Sequence, residues 1–385
     1  MGKVGTEATL QAILGEIKVL TRGELTTSEQ IVAAVRRGDN VPNGTTFTEH
    51  HAVYGDIEFV TRRQNVDKLA IDPTAPTVTI QPKYLLSVNA GTTAATFQYD
   101  RPEAMFAPLA EAITSGTVVQ FTSTAYGSWV AGTWHFTASA DLPIGTVLCL
   151  NGYQNSALET LKVNAYSSRK GTSALASMDI SSGAGDATVD LGSWTSGGNH
   201  PQRISYGSNN GEQANINQWL NGDSGNGFMS DIWTPQSDYD MMCTAFTSLK
   251  GFLGGFSEGF RSCLGLAKIH NSTNTVYEES GYTTNSDYTY NGYFWLPSRK
   301  EIYGSNETAS EDSETQFPYF ANLGTTDHDK LMYAKGASGA TTYWLRTPYA
   351  GIASYVRICY AASDGALNGI NANLSYGVAP LAILA

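Results

Sequence analysis

The spacing of apolar positions changes along this chain, and each change marks a new kind of element. Residues 6 to 20 place Ala8, Leu10, Ile13, Leu14, Ile17 and Leu20 on one stripe, mostly at three- and four-residue steps. That is the period of an amphipathic helix, and Arg22-Gly23 ends it. A second start follows, where Thr27 and Gln30 have capping-box spacing ahead of Ile31 to Val35, and Arg36-Arg37-Gly38 closes the run. From Asn43 the period shortens to two: His51 to Thr61 alternates in part, and Val78 to Gln81 does so throughout, which predicts strands. Short β-type runs then recur at Ser115 to Phe121, Ala131 to Thr137, Ile144 to Leu150 and Ala187 to Leu191. Gly- and Ser-rich turns separate the first three, the pattern of a sandwich or barrel, and residues 182–198 read as a linker-like exit. Further on, Asn215 to Asn221 predicts a short helix. Gly251 to Ser257 leads into another through Phe260, Leu264 and Leu266, and Phe294 to Ile302 predicts a strand that Pro-Ser turns into a helix.

The run from Thr342 to Ala385 has a texture of its own. Tyr343-Trp344-Leu345 is an apolar-aromatic cluster closed by Arg346, Thr347 and Pro348, a strand running into a turn. Asp364-Gly365 is a hairpin-type turn signal, and Val378 to Leu384 is a second apolar run. The residues between are rich in Tyr, Ser, Ala, Asn and Gly, with only Arg357 and Asp364 charged. From Arg346 to Ala385 there is no Lys, Glu, Gln, Met or Trp. Tyr343, Tyr349, Tyr355 and Tyr360 among small residues match the composition of antibody binding loops, where Tyr brings contact area and Ser, Gly and Asn adapt their hydrogen bonds. The alternative is a Tyr-rich β core, which would have many hydroxyls to satisfy.

At 385 residues there is room for two or three domains, or for one large domain with an insertion. Hydrophobic content of 41% against 15% charged, with 39 Gly and 21 Tyr, favours a loop-rich β-leaning protein. A net charge of −12, with no basic cluster larger than Arg36-Arg37 or Arg62-Arg63, argues against nucleic-acid and anionic-membrane partners. No apolar run is long enough for a membrane helix, and the N-terminal residues lack an export signal, so synthesis and folding in a cytoplasm are expected. Cysteines 149, 243, 263 and 359 are scattered and form no CxxC pair, which disfavours a disulfide scaffold or a structural zinc site.

Catalytic signals are weak. His50 and His51 are adjacent and would point to opposite faces of a strand, while His135, His200, His270 and His328 are isolated. Gly255-Phe256-Ser257-Glu258-Gly259 matches a nucleophile elbow by letter, but the approach is too Gly-rich for the strand an elbow needs. Ser257 therefore reads as a turn residue before a helix. Gly251 to Phe256 lacks the Lys-Ser/Thr of a phosphate loop, and its aromatics suit packing. Glu307, Glu311, Asp312 and Glu314 carry calcium-type oxygens, although a solvated loop is the simpler expectation. The spacing of Asp238, Asp240, Asp327 and Asp329 indicates no glycosidase pair. No catalytic residue, cofactor or metal ligand is assigned.

Trp344-Leu345-Arg346-Thr347-Pro348, a Gly-containing stretch, then Gly377-Val378-Ala379-Pro380 resemble the end of a C-type lectin fold. The resemblance is to the variable proteins of diversity-generating retroelements and a related family of phage structural proteins. The helix ending in Arg-Gly, the Asn43-Gly44 turn, Tyr54-Gly55 and Tyr99 to Ala104 follow the same order, so the resemblance spans 28–104 and 205–385. It implies an α+β protein: a helical oligomerisation or attachment segment at 1–40, a C-type lectin fold over 41–104 and 199–385, and a β insertion at 105–198. It also implies that the first and last strands pair, Ile57 to Val60 against Val378 to Leu384. In that class, adenine-directed mutagenesis cannot yield Lys, Glu, Gln, Met or Trp, the residue types missing after Trp344. A variable ligand-binding surface at about 342–376 would then comprise Tyr343, Tyr349, Ile352, Ser354, Tyr355, Ile358, Tyr360, Asn368, Ile370, Asn371, Asn373 and Leu374. Trp344, Val356, Leu367, Val378 and Leu381 would face the core. The implied function is a non-enzymatic, homotrimeric receptor-binding protein on a virion, made in the host bacterial cytoplasm. Its partners would be virion proteins and a host cell-surface protein or glycan, with no nucleic acid, membrane or cofactor. Two alternatives stay open: a capsid or tail component whose C-terminus only packs, and a formylglycine-generating-type enzyme. The latter needs a cysteine pair that is not recognisable near the C-terminus, and the EPN and WND triplets of calcium-dependent lectins are absent.

Overall fold

Helix α1 (Ser28–Arg36) starts as its spacing predicts: the Thr27 hydroxyl accepts from the Gln30 N–H while the Gln30 side chain accepts from the Thr27 N–H. It buries Ile31, Val32, Ala34 and Val35 and leaves Glu29, Gln30 and Arg36 outside. The computed structural model describes residues 25–100, 103–105, 108–123, 132–151, 162–167, 174–189, 209–212, 214–223, 251–272, 275–278, 281–284, 288–308, 314–322, 327–350, 352 and 355–385. The stripe expected over residues 6–20 lies outside them, as do Asp238 and Asp240.

After α1 come β1 (Thr46–His51), β2 (Gly55–Gln64), β3 (Val78–Pro82) and β4 (Phe97–Gln98). The next strands are β5 (Glu103–Met105), β6 (Val118–Ser123), β7 (Gly132–Thr137), β8 (Val147–Asn151), β9 (Lys162–Tyr166), β10 (Ala176–Ser182) and β11 (Ala187–Thr188). Helices α2 (Asn215–Leu220) and α3 (Glu258–Cys263) precede β12 (Leu264–Gly265), β13 (Ala267–Asn271), β14 (Thr275–Glu278), β15 (Gly281–Thr284), β16 (Tyr288–Gly292) and β17 (Phe294–Trp295). Helices α4 (Arg299–Tyr303) and α5 (Pro318–Asn322) lead to β18 (Tyr343–Pro348), β19 (Tyr355–Tyr360), β20 (Ala366–Asn371), β21 (Ser375–Tyr376) and β22 (Leu381–Leu384). Strands predominate and helices are short, an α+β architecture as expected.

The central sheet runs β1-β2-β3-β22, with β12 and β17 lying end to end along the free edge of β22. Every residue of β22 is buried, because the sheet is covered on both sides. Ala382 and Leu384 face a core containing Ile31, Val35, Phe59, Ile80, Trp219, Phe252 and Trp344. Leu381 and Ile383 face a second core containing Trp295, Ile302, Phe317, Tyr343 and Leu345. The two-residue period of a strand thus splits one apolar run between two cores. The expected pairing of Ile57 to Val60 with Val378 to Leu384 is corrected here. The partner of β22 is β3, Ala382 opposite Ile80, and β2 lies one strand further out. All five residues of β3 are buried, Val78 and Ile80 on the first-core face and Thr79 and Gln81 on the other, whereas β2 begins with Gly55 and the exposed Asp56 and is buried only further along.

A second, seven-stranded sheet runs β11-β6-β7-β10-β9-β8-β5 over a core of its own, which includes Val119, Phe121, Phe136, Leu148, Val163, Met178 and Ile180. The four expected strands here are β6, β7, β8 and β11; β5, β9 and β10 are additional. Strand β10 pairs with β9 through Ala176 to Asp179 and with β7 through Ile180 to Ser182, so one strand turns the corner between two halves of the sheet. The chain leaves the first domain and re-enters it at one place. The Ile216 N–H donates to the Tyr99 carbonyl (3.0 Å), and the Asn215 N–H donates to the Asp100 carboxylate (3.2 Å).

Candidate functional site

The C-terminal stretch folds as a three-stranded antiparallel sheet, β18-β19-β20. Trp344 anchors it. The indole is fully buried, donates its N–H to the Phe97 carbonyl (2.7 Å) and meets Tyr99 and Tyr376 edge-on. Asp364 and Gly365, both at positive φ, make the expected turn between β19 and β20. Leu345, Val356, Val378 and Leu381 are buried as expected; Leu367 is half-buried.

Register decides where the expected contact residues point. Val356, Ile358 and Tyr360 on β19 face the first core together with Trp344 and Ile370, whereas Cys359 faces the second core with Tyr343 and Leu367. The twelve residues therefore cannot share one surface. Tyr343 is buried, and its hydroxyl donates to the Lys330 carbonyl (2.9 Å). Ile358 is buried opposite Trp344, and Asn373 is buried with its carbonyl accepting from the Gln98 side chain. These three are core positions, a correction to the contact set that follows from strand alternation. Tyr360 and Ile370 are half-buried against the first core. Asn368 is exposed, Asn371 and Leu374 are partly so, and Ile352 is 39% exposed. Ser354 lies outside the described residues.

Tyr349, Tyr355, Arg357, Gly369 and Asn371 come together on the other side of β19 and β20. The Tyr349 ring lies where a Cβ at Gly369 would be, sits 4.0 Å under the Arg357 guanidinium and meets Tyr355 edge-on. Beneath them Glu307, whose side chain is 2% exposed, accepts from Arg357 Nε (2.6 Å) and Nη2 (2.8 Å), Arg299 Nη1 (2.6 Å) and the Ala350 N–H (2.8 Å). Burial alone would raise its pKa, but the Arg357 and Ala350 hydrogen bonds and the arginine charges hold it below the ordinary carboxylate value. Asn209, arriving from the far end of the insertion, donates to the Ile352 (2.9 Å) and Tyr355 (3.2 Å) carbonyls. The surface loop is thus tied down on two sides. Sequence reasoning placed Glu307 in a solvated acidic loop. Its oxygens are instead taken by the partly buried Arg299 and Arg357, and those of Glu314 by the buried Arg346 and by Ser298 and His270, while Glu311 and Asp312 lie outside the described residues.

Of a second cluster the sequence singled out only Glu314. Glu301 on α4 bridges Arg63 of β2 and Arg346 of β18. Arg63 also holds Asp67 (Nε to Oδ2, 2.7 Å), and Arg346 also holds Glu314 (2.9 Å), on which Ser298 and His270 converge. A cleft of about 220 Å³ lies beside it. Burial opposes ionisation of Glu314, but the Arg346 charge prevails and pulls its pKa down to about 2. A carboxylate so matched holds elements together and has no proton to give near neutrality. Ser257 is the N-cap of α3, its hydroxyl accepting from the Phe260 N–H (3.2 Å), as a turn residue would. Cys263 and Cys359 are buried in separate cores, the Cys359 thiol against the Lys330 and Gly365 carbonyls (3.5 Å each).

No curated protein and no solved structure matches this chain. Residues 180–385, more than half of its length, match the model of a domain of unknown function, DUF6273, and the chain belongs to that family.

Proposed function

We propose that this is a non-enzymatic binding protein of C-type lectin fold, a phage receptor-binding protein that presents its C-terminal sheet to a host cell-surface protein or glycan. The observation that carries the reading is the division of labour around β19. Trp344 fixes the sheet from its first-core face, Glu307 and Asn209 fasten its loop, and Ile352, Tyr355, Asn368, Asn371 and Leu374 retain exposed surface. Side chains of that kind on a rigid support are suited to recognition, since little ordering entropy is lost on contact. The absence of Lys, Glu, Gln, Met and Trp after Trp344 accords with a diversified stretch. Self-association, a trimer by resemblance, belongs to the same proposal and rests on the apolar stripe at residues 6–20.

The proposal is tested by replacing Ile352, Tyr355, Asn368, Asn371 and Leu374 together with Ser. The melting temperature is expected to stay close to the parent's. Staining of the bacterial strain that carries the gene, by fluorescently labelled protein, is expected to disappear. Sedimentation of the same preparation, with and without residues 1–24, reads the oligomer. Equal staining by parent and variant would overturn the binding surface. A neighbouring reverse transcriptase gene, with a near-copy of codons 340–385 differing at adenines, is the expected genomic signature. Its absence would favour the structural virion component.

A further inference from the structure

Arg62 and Arg63 are adjacent on β2, and in a regular strand they would point to opposite faces. A register shift between Thr61 and Arg63 in the pairing with β3 removes that alternation. Both guanidinium groups lie on the α5 side, Arg63 over Phe317 (4.5 Å) and Arg62 over Tyr319 (4.5 Å) and Phe320 (5.3 Å). Their partners differ. Arg63 is matched by Asp67, Glu301 and the Thr315 carbonyl, and Arg346 by Glu301 and Glu314. Arg62 is only 4% exposed, yet its one hydrogen bond runs from Nε to the Gln81 side chain (2.8 Å), and no carboxylate pairs with it among the described residues.

We propose that the Arg62 guanidinium is an anion-binding site that takes a carboxylate or phosphate group end-on across its two Nη nitrogens. A charge left unmatched in the interior is costly, so a ligand that supplies the missing partner gains what the fold leaves open. The group is also pre-oriented. Gln81 engages Nε and is itself held by the Ala379 carbonyl (3.1 Å), while the aromatic rings support the guanidinium plane. What remains is the planar Nη1–Nη2 fork, whose geometry suits two oxygens of one anion. Tyr319, 47% exposed, forms the solvent side of the site, and Lys330, whose ammonium donates to the Phe320 carbonyl (3.4 Å), adds a second cation in the neighbourhood. Burial pushes the Arg62 pKa down to about 10, whereas the carboxylates push those of Arg63 and Arg346 up. The site does not depend on the binding role of the C-terminal sheet.

The test is calorimetric titration and thermal melting of the full chain with inorganic phosphate and with acetate, at constant ionic strength. At least one anion is expected to bind saturably and raise the melting temperature. A response to phosphate alone assigns phosphate, and one to acetate alone assigns carboxylate. Arg62→Met is expected to abolish the response and to raise the anion-free melting temperature. Arg62→Lys keeps the charge without the fork and is expected to bind about tenfold more weakly. Tyr319→Ala, at a half-exposed position, keeps the fold and is expected to weaken binding. A parent indifferent to both anions, or Arg62 variants that respond as the parent does, would overturn the site.

Discussion

His51 is held neutral by its neighbours. Its Nε2–H donates to the Phe252 carbonyl (2.9 Å), and its Nδ1 accepts from the Val53 (3.0 Å) and Tyr54 (3.2 Å) N–H groups, among the rings of Phe252 and Phe256. Burial pushes its pKa from 6.5 down to about 4. Below pH 6.5 the unfolded chain takes up a proton that the folded ring refuses until about pH 4, so stability falls as pH is lowered through that window. The loss from this group amounts to about 3 kcal/mol. Glu314 acts next: folded, it stays ionised down to about pH 2, whereas its unfolded value is 4.5, so its contribution is lost as pH falls from 4.5 towards 2. Denaturant titrations between pH 4 and 6.5 are expected to show this acid slope, and His51→Gln, which can still hydrogen-bond, is expected to flatten it. An unchanged slope in that variant would assign the acid sensitivity elsewhere. Nothing in the sequence separates this histidine from a ligand. Its role comes from Phe252, far along the chain, and from backbone groups that carry no side-chain identity.

At the scale of elements, the sequence was most informative where a local rule acts. The capping box of α1, the Pro-Ser start of α4, the short helix at Asn215, the turn residue Ser257 ahead of α3 and the Asp364-Gly365 turn were all legible, because each depends on a few residues in a row. The tyrosines were misjudged where orientation depends on register. Composition cannot tell Tyr343, packed in the second core, from Tyr355 on the surface cluster, since the pairing that separates them involves β18 and β19 together. Glu307 was misread for a related reason. Its arginine partners Arg299 and Arg357 come from different elements, and only the folded sheet brings them to one carboxylate. That carboxylate is what fastens the loop after β18 to β19. Glu307→Ala would leave two arginines facing each other without their counter-charge, at a cost of about 3–5 kcal/mol. Hydrogen exchange is expected to quicken at Ala350, which loses its acceptor, and at Tyr349 and Tyr355, whose N–H groups donate across the loop to the Tyr355 (2.8 Å) and Ile352 (3.1 Å) carbonyls. Protection unchanged at all three would show that Asn209 alone holds the loop.

For the whole molecule, the boundaries of the family match and of the folded units differ. The matched region begins at residue 180, within β10, but the last strand of the chain lies against β3, Trp344 is bonded to Phe97, and Glu301 is bridged to Arg63. Residues 25–100 therefore belong to the same folded body as the C-terminal half, joined through a shared sheet, two cores and a buried ionic cluster. The seven-stranded unit has its own core, and its two ends meet where Asn215 and Ile216 bond to Asp100 and Tyr99. A folded unit entered and left at one point adds little constraint to the domain that carries it. Replacing residues 103–208 by a short Gly-Ser linker is accordingly expected to leave a chain that melts cooperatively, because Asn209 and its bonds to the Ile352 and Tyr355 carbonyls are retained. Removing residues 25–100 instead takes away the strand beside β22 and the partner of Glu301, and is expected to abolish cooperative melting. The two deletions discriminate cleanly: if the first unfolds the protein and the second does not, the body that organises the C-terminal surface is the seven-stranded unit rather than the N-terminal strands.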